Sequence, residues 1–574
     1  MQARTAPASR IIHGGDILTL DPARPTVEAL AIGGGRIVGL GNRAELEPLR
    51  GATTEATDLL GRTLIPSFKD HHVHLLNAGM SVFNRAEDER LFLDLAGAAS
   101  AEEIADRVAE RAGSMPPGGW ILGKGWNQHD WGSNSLPTYH LLSQAAPSHP
   151  VLLGRVDAHC VWVNERAMEL ASITTDSRDP HGGSILHTDS GELSGILLER
   201  GAEPLLATIP EYAGWEITEA FRVGAERLAA QGVTDIYDAG FLATTAIVSM
   251  GANFKLYLEL LRALDADRSL PLRVNLMIPA PSPLADKVTA DPEAFLSLSS
   301  CLRVTHIKLY ADGAFGSRGA ALSHPYADDP GTRGVVRMSA EELQCETRRA
   351  IEAGLDVATH AIGDRAVRRV LDAYEAVLDA HPGTRPSRFR IEHFGYASED
   401  DMQRAARLGF ILVAQPNFIY PDERGVTMEE LRLGTENCGR VYPWKTLADL
   451  GAALAGSSDY FTSPGPPLWD FYAACTRKSP EGYPADGWHP GECLTREESL
   501  RLVTTFYPSG GMGTTGGILR EGGPADLAIL SANPLTADER DILSIDVDAT
   551  LIEGRVSSTD GSLEGLSRRP RGRS

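Results

Sequence analysis

Cysteine is scarce in this sequence, with six residues in 574 and no Cys-x-x-Cys pair. Cysteines dispersed in this way are typical of reduced core or neutral positions, and they argue against a disulfide framework or a thiolate zinc site. Long apolar runs are lacking as well: no stretch reaches 18 residues, and the first twenty residues have no continuous apolar core of a signal peptide. We therefore expect a cytoplasmic protein that does not span a membrane.

Positive charge is also in short supply, because 54 lysines and arginines stand against 77 aspartates and glutamates, for a net charge of −23. A surface with this balance repels nucleic acids and anionic membranes, so we expect neither as a partner. A local run of arginines falls within residues 561–574, which we expect to form a disordered tail.

The sequence does contain ample apolar material, 42% of its residues, arranged in two patterns. Short alternating runs separated by turn residues occur near both ends of the chain, which predicts a small β-sandwich built from residues 1–62 and 516–560. Between them, apolar strands alternate with amphipathic helices, and this predicts an α/β fold, a (β/α)8 TIM barrel over residues 63–515. The long separation between the first two barrel strands predicts an inserted subdomain over about 85–215.

The run Asp70-His71-His72-Val73-His74 follows an apolar stretch, Thr63–Pro66, that we assign to the start of the barrel. Side chains two apart on a strand point to the same face. His72 and His74 are therefore expected to project together from the end of a barrel strand. Two converging imidazoles supply half of a transition-metal site.

Four further polar residues end apolar strands downstream: Lys308, His360, His393 and Asp459. Each alone has an ordinary explanation, such as a hydrogen-bonded histidine, an ion-paired lysine or an aspartate that caps a helix. Together, those explanations would require four separate coincidences at the C-terminal ends of strands, the face at which barrel enzymes carry their active sites. The spacing of about one or two βα units between them fits that face.

These markers and several others together resemble the amidohydrolase superfamily, and specifically the branch called amidohydrolase family 3. The resemblance extends from about Ile12 to Val556. The further markers are Asp157-Ala158-His159, Lys308 through Ala320, Thr359 through Asp364, Ile391-Glu392-His393, Gly456 through Asp459 and Gly523 through Leu527. The branch includes N-substituted formamide deformylases.

The resemblance implies a ligand set for one or two divalent metal ions, with Zn²⁺ expected. His72 and His74 would hold the first ion, with Asp459 as a further ligand and as the general base that activates water. His360 and His393 would hold a second ion, or His360 would join the first site if only one ion binds. Lys308 would be carboxylated by CO₂, because a protonated amine has no lone pair to offer a metal. The resemblance also implies a small-molecule substrate and a homodimer.

The predicted reaction is hydrolysis of a carbon–nitrogen (amide) bond, with an N-substituted formamide as the sharpest specific candidate. One alternative is a deaminase acting on a cyclic amidine or purine-type ring. Related deaminases carry His-x-x-Glu after the third ligand strand, whereas His360 is followed by Ala361-Ile362-Gly363. A second alternative is a catalytically inactive amidohydrolase-like scaffold, but such proteins lose ligands and this chain keeps them.

Large side chains in loops predicted to lie near the barrel mouth suggest a partly apolar or aromatic substrate. An equally good interpretation is that they pack the inserted subdomain against the barrel. The candidate substrate-binding residues are Trp126, His159, Tyr310, Phe315, Arg318 and Trp469. Arg318 either orders its own loop or contacts substrate.

Three basic residues near the candidate ligands receive no metal role. Lys69 and His71 depart from the pattern of the family. Each of them is expected either to point behind the strand or to support the ligands. His306 shares a face with Lys308, one layer deeper in the barrel, so we expect it to pack or to form a hydrogen bond.

Overall fold

The computed structural model describes the chain apart from residues 1–6, 87–90, 132–134, 207, 210–213, 241–257, 260, 265, 267–269, 297, 300, 423, 461, 463–465, 508–514, 564–565 and 567–574. Most of the predicted tail, residues 561–574, therefore lies outside the described residues. Within the described part, no helix is both long enough and apolar enough to cross a membrane.

A barrel of parallel strands forms the centre of the molecule and confirms the predicted α/β barrel. Within the described residues its strands are β1 Phe68–Val73, β2 Val233–Asp238, β3 Arg273–Pro279, β4 Leu302–Tyr310, β5 Asp356–Ala361, β6 Phe389–His393, β7 Ile411–Ala414 and β8 Ala453–Gly456. Neighbours in this series are hydrogen-bonded from β1 to β8. Beyond β8, the Asp459 amide donates to His72 O at 2.9 Å and the His74 amide donates to Tyr460 O at 2.8 Å, which brings the last strand back to the first.

Helices follow the barrel strands and cover them with apolar faces. Outside the inserted region they are Leu75–Ala86, Gly214–Ala230, Pro283–Ala290, Glu293–Leu296, Ala340–Glu352, Asp364–Ala380, Glu399–Leu408, Met428–Leu433, Trp444–Asp449, Pro467–Thr476 and Arg496–Thr504. The helix Ala340–Glu352 shows why these segments are helical: Ser339 and Glu342 form a capping box at its start, and Leu343, Ala350 and Ile351 line one buried face.

Both ends of the chain contribute to one continuous mixed sheet. Its strands are Arg10–Leu18, Thr26–Gly33, Arg36–Gly41, Glu55–Asp58, Thr63–Pro66, Leu527–Leu530, Val547–Ile552 and Arg555–Thr559. A short helix, Arg43–Leu46, follows the third strand. Residues from both ends share one apolar core, which includes Ile12, Leu30 and Ile529.

The strand Thr63–Pro66 belongs to this sheet, because it pairs with Leu527–Leu530 and with Arg10–Leu18. The barrel therefore begins at Phe68, and the assignment of Thr63–Pro66 to the barrel is wrong. Apolar strands of two neighbouring sheets cannot be told apart by their composition. The boundary between the terminal sheet and the barrel can be placed only when the pairing partners of each strand are known.

A second domain is inserted between β1 and β2. Among the described residues its mixed sheet contains Leu93–Asp94, Ile121–Trp126, Val151–Arg155, Cys160–Val163, Gly183–His187 and Leu193–Glu199. Its helices are Ala101–Ser114, Tyr139–Ala145, Glu165–Leu170 and Glu203–Leu206. A small hairpin, Thr505–Phe506 with Thr515–Gly516, lies after β8.

Four charged residues, three of them buried and Arg273 partly exposed, join the floor of the barrel to the terminal sheet. Lys69 Nζ lies 2.5 Å from Asp235 Oδ2 and 3.5 Å from Asp526, which directly precedes a strand of the terminal sheet. Arg273 pairs with both Asp235, at 2.7 Å, and Asp526. Lys69 therefore lies at the end of β1 opposite the candidate ligands and holds the two domains together.

Candidate metal centre

A β-bulge in β1 determines how the histidine run faces the barrel. Asp70 pairs with Ile236 and Val73 pairs with Asp238, so β1 uses three residue steps where β2 uses two. The extra residue interrupts the alternation of side chains. His71 is consequently buried against Tyr237, with ring centroids 5.3 Å apart, and its Nε2 donates to Thr505 O at 2.9 Å.

The side chains of His72, His393 and Asp459 come together at the C-terminal ends of β1, β6 and β8. One ligand atom from each of these residues lies within 4.8 Å of the others. His74 joins them, because its Nε2 lies 3.3 Å from Asp459 Oδ1 and its ring centroid lies 5.4 Å from that of His72. All four side chains are buried. Three imidazoles and a carboxylate are ligands that suit Zn²⁺ and similar divalent ions.

The Nδ1 atom of each imidazole forms a hydrogen bond with a group outside this centre. His72 Nδ1 donates to Glu392 Oε2 at 2.5 Å, and His74 Nδ1 donates to Gly240 O at 2.6 Å. His393 Nδ1 donates to Gln415 Oε1 at 2.9 Å. These bonds leave each Nε2 for a metal, the arrangement that metal-binding histidines generally have, so the residues fit a bound divalent ion.

The backbone is strained at two of these positions. His393 has φ +73° and Asp459 has φ +50°, values in the left-handed region that residues other than glycine seldom adopt. Such conformations cost on the order of 1–3 kcal/mol each and persist where the surrounding structure enforces them, often at functional sites. Burial alone would raise the pKa of Asp459, but the charges of His72 and His74 outweigh it and hold the pKa well below its usual value.

Lys308 and His360 flank the centre. Lys308 is fully buried on β4, its Nζ has no hydrogen-bond partner among the described residues, and burial lowers its pKa to about 8. The His360 ring lies 4.5 Å from that of His393. His360 Nε2 lies 3.3 Å from Gly313 O, and His360 stays outside the three-residue group described above. An unpartnered buried amine beside the ligands is the position that a carboxylated lysine would need.

The inserted domain reaches the centre through His159 and Glu199. The His159 ring lies 5.0 Å from that of His360, and its Nδ1 donates to Glu199 Oε1 at 2.8 Å. Arg337 pairs with Glu199 at 2.9 Å and lies over the Tyr310 ring at 4.8 Å. The Tyr310 hydroxyl is buried without a partner within the described part of the chain, and burial raises its pKa, which keeps it a neutral donor.

A model of the amidohydrolase family matches residues 55–557. This chain is a member of the amidohydrolase family. It is 30% identical over 553 residues to YtcJ of Bacillus subtilis, whose name describes an amidohydrolase, and the match covers 95% of this chain and 98% of YtcJ. It is 26% identical over 567 residues to the N-substituted formamide deformylase of Arthrobacter pascens, covering 95% and 97% of the two chains.

Solved structures agree with this membership. A metal-dependent hydrolase from Pyrococcus horikoshii superposes with a TM-score of 0.68 at 28% identity, over 92% of this chain and 99% of that one. The resemblance in sequence and structure therefore covers the terminal sheet, the barrel and the inserted domain of this amidohydrolase together.

Of the candidate substrate residues in this amidohydrolase, Trp126 and Phe315 are buried and Arg318 is partly exposed. Trp126 is fully buried in the core of the inserted domain, where it stacks on Trp131 and donates to Leu153 O at 2.8 Å. Phe315 packs in a second buried cluster, and Arg318 is ion-paired with Asp328 at 2.9 Å. Packing and ion pairing already engage these side chains, and their assignment to substrate stays a prediction.

Two further aromatic side chains, Phe418 and the candidate Trp469, differ in what they contact. Phe418 stacks beside His393, with ring centroids 6.2 Å apart and an angle of 12° between the planes. Trp469 is partly exposed near the start of the helix Pro467–Thr476, and its ring centroid lies 6.2 Å from that of Tyr420. Its indole N–H has no hydrogen-bond partner among the described residues. Phe418, His159 and Tyr310 therefore offer both apolar and hydrogen-bonding surface beside the candidate ligands.

Two residues that orient the ligand rings, Glu392 and Gln415, were missed by sequence reasoning. Glu392 and Gln415 fix the rings of His72 and His393, and Gln415 Nε2 in turn donates to Ser457 Oγ at 2.7 Å. Asp312 accepts amide hydrogen bonds from Ala321, Ile362 and Gly363 and so orders the loops beside His360. Glu392 directly precedes a candidate ligand, which was the one signal available.

Proposed function

We propose that this chain hydrolyses a carbon–nitrogen bond of a small amide and that N-substituted formamides are its substrate class, giving formate and an amine. The observation that carries the proposal is the buried group of His72, His393 and Asp459, joined by His74, in which each imidazole is anchored through Nδ1. The choice of formamides is supported by the similarity to the Arthrobacter pascens enzyme.

A divalent metal held by His72, His74, His393 and Asp459, with Zn²⁺ as the ion, would act as a Lewis acid and make water more acidic. Asp459 serves as the base: its neighbours keep it ionised, so it can accept a proton from water and return it to the departing amine. Asp459 lies just after β8 with a strained backbone conformation that the surrounding structure enforces.

Lys308 is carboxylated in this proposal. The reaction with CO₂ requires a neutral amine, and a pKa of about 8 gives a much larger neutral fraction at neutral pH than an exposed lysine has. The product, a carbamate, carries the oxygen ligands that the amine lacks, and His360, whose ring lies 4.5 Å from that of His393, would join the same site.

Two groups are positioned to bind the substrate. The Tyr310 hydroxyl is a neutral donor without a partner in the described part of the chain, which suits the carbonyl oxygen of an amide. Phe418 and Trp469 offer aromatic surface for the substituent on nitrogen.

The test uses zinc-loaded protein and Asp459→Asn against N-substituted formamides, larger acyl amides, cyclic imides and aminopurines, with products identified by mass spectrometry. The proposal expects formate and free amine from the unmutated protein alone, with an aromatic or apolar nitrogen substituent preferred. The melting temperature and zinc content of Asp459→Asn are measured alongside, so that lost turnover in a folded, zinc-loaded variant reports lost chemistry. Ammonia released from a ring substrate would instead favour the deaminase alternative, and turnover that survives in Asp459→Asn would contradict the role of Asp459.

A further inference from the structure

Two charged residues of β6 lie directly beneath His72, and both are buried. Glu392 accepts the His72 Nδ1 proton through Oε2 at 2.5 Å, while its other oxygen accepts from Arg390 Nε at 3.0 Å. Glu392 and Arg390 are 0% and 1% exposed. The proton of His72 and the guanidinium of Arg390 therefore hold one carboxylate from opposite sides.

Arg390 makes a second contact that bears on the same ligand. Its Nη2 donates to His71 O at 2.6 Å, the carbonyl that directly precedes His72 in the bulge of β1. The guanidinium also lies over the Tyr237 ring of β2, 4.3 Å from the centroid. The Arg390 guanidinium thus holds both the backbone of the bulge and the Glu392 carboxylate, and its contact with Tyr237 orients the guanidinium itself. These contacts suit the rigid, planar set of donors that arginine has.

We propose that Arg390 and Glu392 are positioning residues that set the metal affinity of this centre by holding His72 with its proton on Nδ1 and its Nε2 toward the ligands. A neutral imidazole offers one lone pair, and the hydrogen bond of the other nitrogen decides which one. If the Glu392 carboxylate is lost, the His72 ring can rotate or take the other tautomer. The hydrogen bond from Arg390 to His71 O in the bulge is not part of that loss. The proposal requires a metal at the centre, as the proposed function does, but not the substrate assigned there.

The first test is the Zn²⁺ affinity of Glu392→Gln, measured by competition with a chelating dye. Outer partners of metal-bound histidines typically contribute 10- to 100-fold in affinity, so we expect a loss of about that size. Glu429→Gln is the matched control, because Glu429 is also buried and accepts a hydrogen bond, from the Tyr442 hydroxyl at 3.1 Å, in a part of the protein that holds no candidate ligand. Its affinity should not change.

A second pair of variants separates positioning from folding. Glu392→Gln leaves the Arg390 charge buried without its partner, which destabilises a fold strongly, so the double variant Arg390→Met with Glu392→Gln removes both charges. It should lose at least as much affinity as Glu392→Gln, because the hydrogen bond from Arg390 to His71 O is removed as well, even where the metal-free protein melts normally. Arg390→Lys keeps the charge but lacks the planar fork with which arginine donates to His71 O and Glu392 together, and we expect an intermediate loss.

The visible absorption spectrum of the Co²⁺-substituted protein reports on the geometry of the metal ligands. It would not change if Arg390 and Glu392 only stabilised the fold. The Glu392 variants should show a changed spectrum, and Glu429→Gln should not. Unchanged affinity and an unchanged spectrum in folded Glu392→Gln would overturn the proposal, as would a change confined to the melting of the metal-free protein. Normal metal binding without formamide turnover would contradict the proposed substrate and leave this inference intact.

Discussion

Replacing Lys308 by methionine should stabilise the metal-free protein near neutral pH. Lys308 is fully buried, and its amine has no hydrogen-bond partner among the described residues. Burial lowers its pKa from 10.5 to about 8, because the charged form is poorly solvated inside the barrel. The difference between these two pKa values corresponds to about 3 kcal/mol of destabilisation by the charged amine.

The pH at which this cost acts follows from the sign of the shift. Between pH 8 and 10.5 the unfolded chain binds the proton that the folded protein has released, so the stability of the unmutated protein rises with pH there. Below pH 8 both states carry the charge and the folded state bears the whole cost. Above pH 10.5 both are neutral and the cost vanishes.

The assay is urea unfolding of metal-free protein in buffer freed of CO₂, at pH 7 and pH 10, for the unmutated protein and Lys308→Met. The variant should be more stable by about 3 kcal/mol at pH 7 and by much less at pH 10. It should also lose bound metal and activity, as measured by plasma mass spectrometry and turnover. Equal stability at pH 7, or an advantage that grows with pH, would refute the reasoning.

Three further predictions follow from the fold and the site. Trp126→Ala should lower the free energy of unfolding by about 3–5 kcal/mol with metal content unchanged, since Trp126 belongs to the core of the inserted domain; lost metal with normal stability would contradict this. Asp235→Asn should cost about 3–5 kcal/mol and leave metal affinity intact. Burial alone would raise the pKa of Asp235, but Arg273 and Lys69 outweigh it and hold the pKa well below its usual value. The ionised Asp235 therefore stabilises the unmutated protein, which should lose that stabilisation as the pH falls below about 4. The stability of Asp235→Asn should not show this pH dependence. Removal of metal with dipicolinate should abolish hydrolysis and added Zn²⁺ should restore it, whereas activity that persists in fully metal-free protein would contradict a metal centre.

Much of the fold was predictable because its signals are local. Alternation of apolar strands with amphipathic helices indicates βα units whatever the rest of the chain does, and the helix Asp364–Ala380 and the strand Phe389–His393 lie where that periodicity predicts. The start of the barrel was not predictable, since Thr63–Pro66 and Phe68–Val73 are both apolar at their beginnings and differ in which distant strands they pair with.

The candidate site divides in the same way. His72, His74, His393 and Asp459 could be proposed because each ends a strand, and the ends of parallel strands meet at one face. Glu392, Arg390 and Gln415 could not, because their roles depend on contacts between strands distant in sequence. The environment of Trp126 was not predictable either, because an aromatic residue looks the same in sequence whether it lines a pocket or, as here, is fully buried.

Crystals loaded with Zn²⁺, measured on both sides of the zinc absorption edge, would test the central claim most directly. The account predicts an anomalous peak bonded to Nε2 of His72 and of His74, at about 2.0–2.1 Å, with Asp459 in contact. A metal bound elsewhere, or a ring of His72 or His74 turned so that Nδ1 faces the ion, would contradict it.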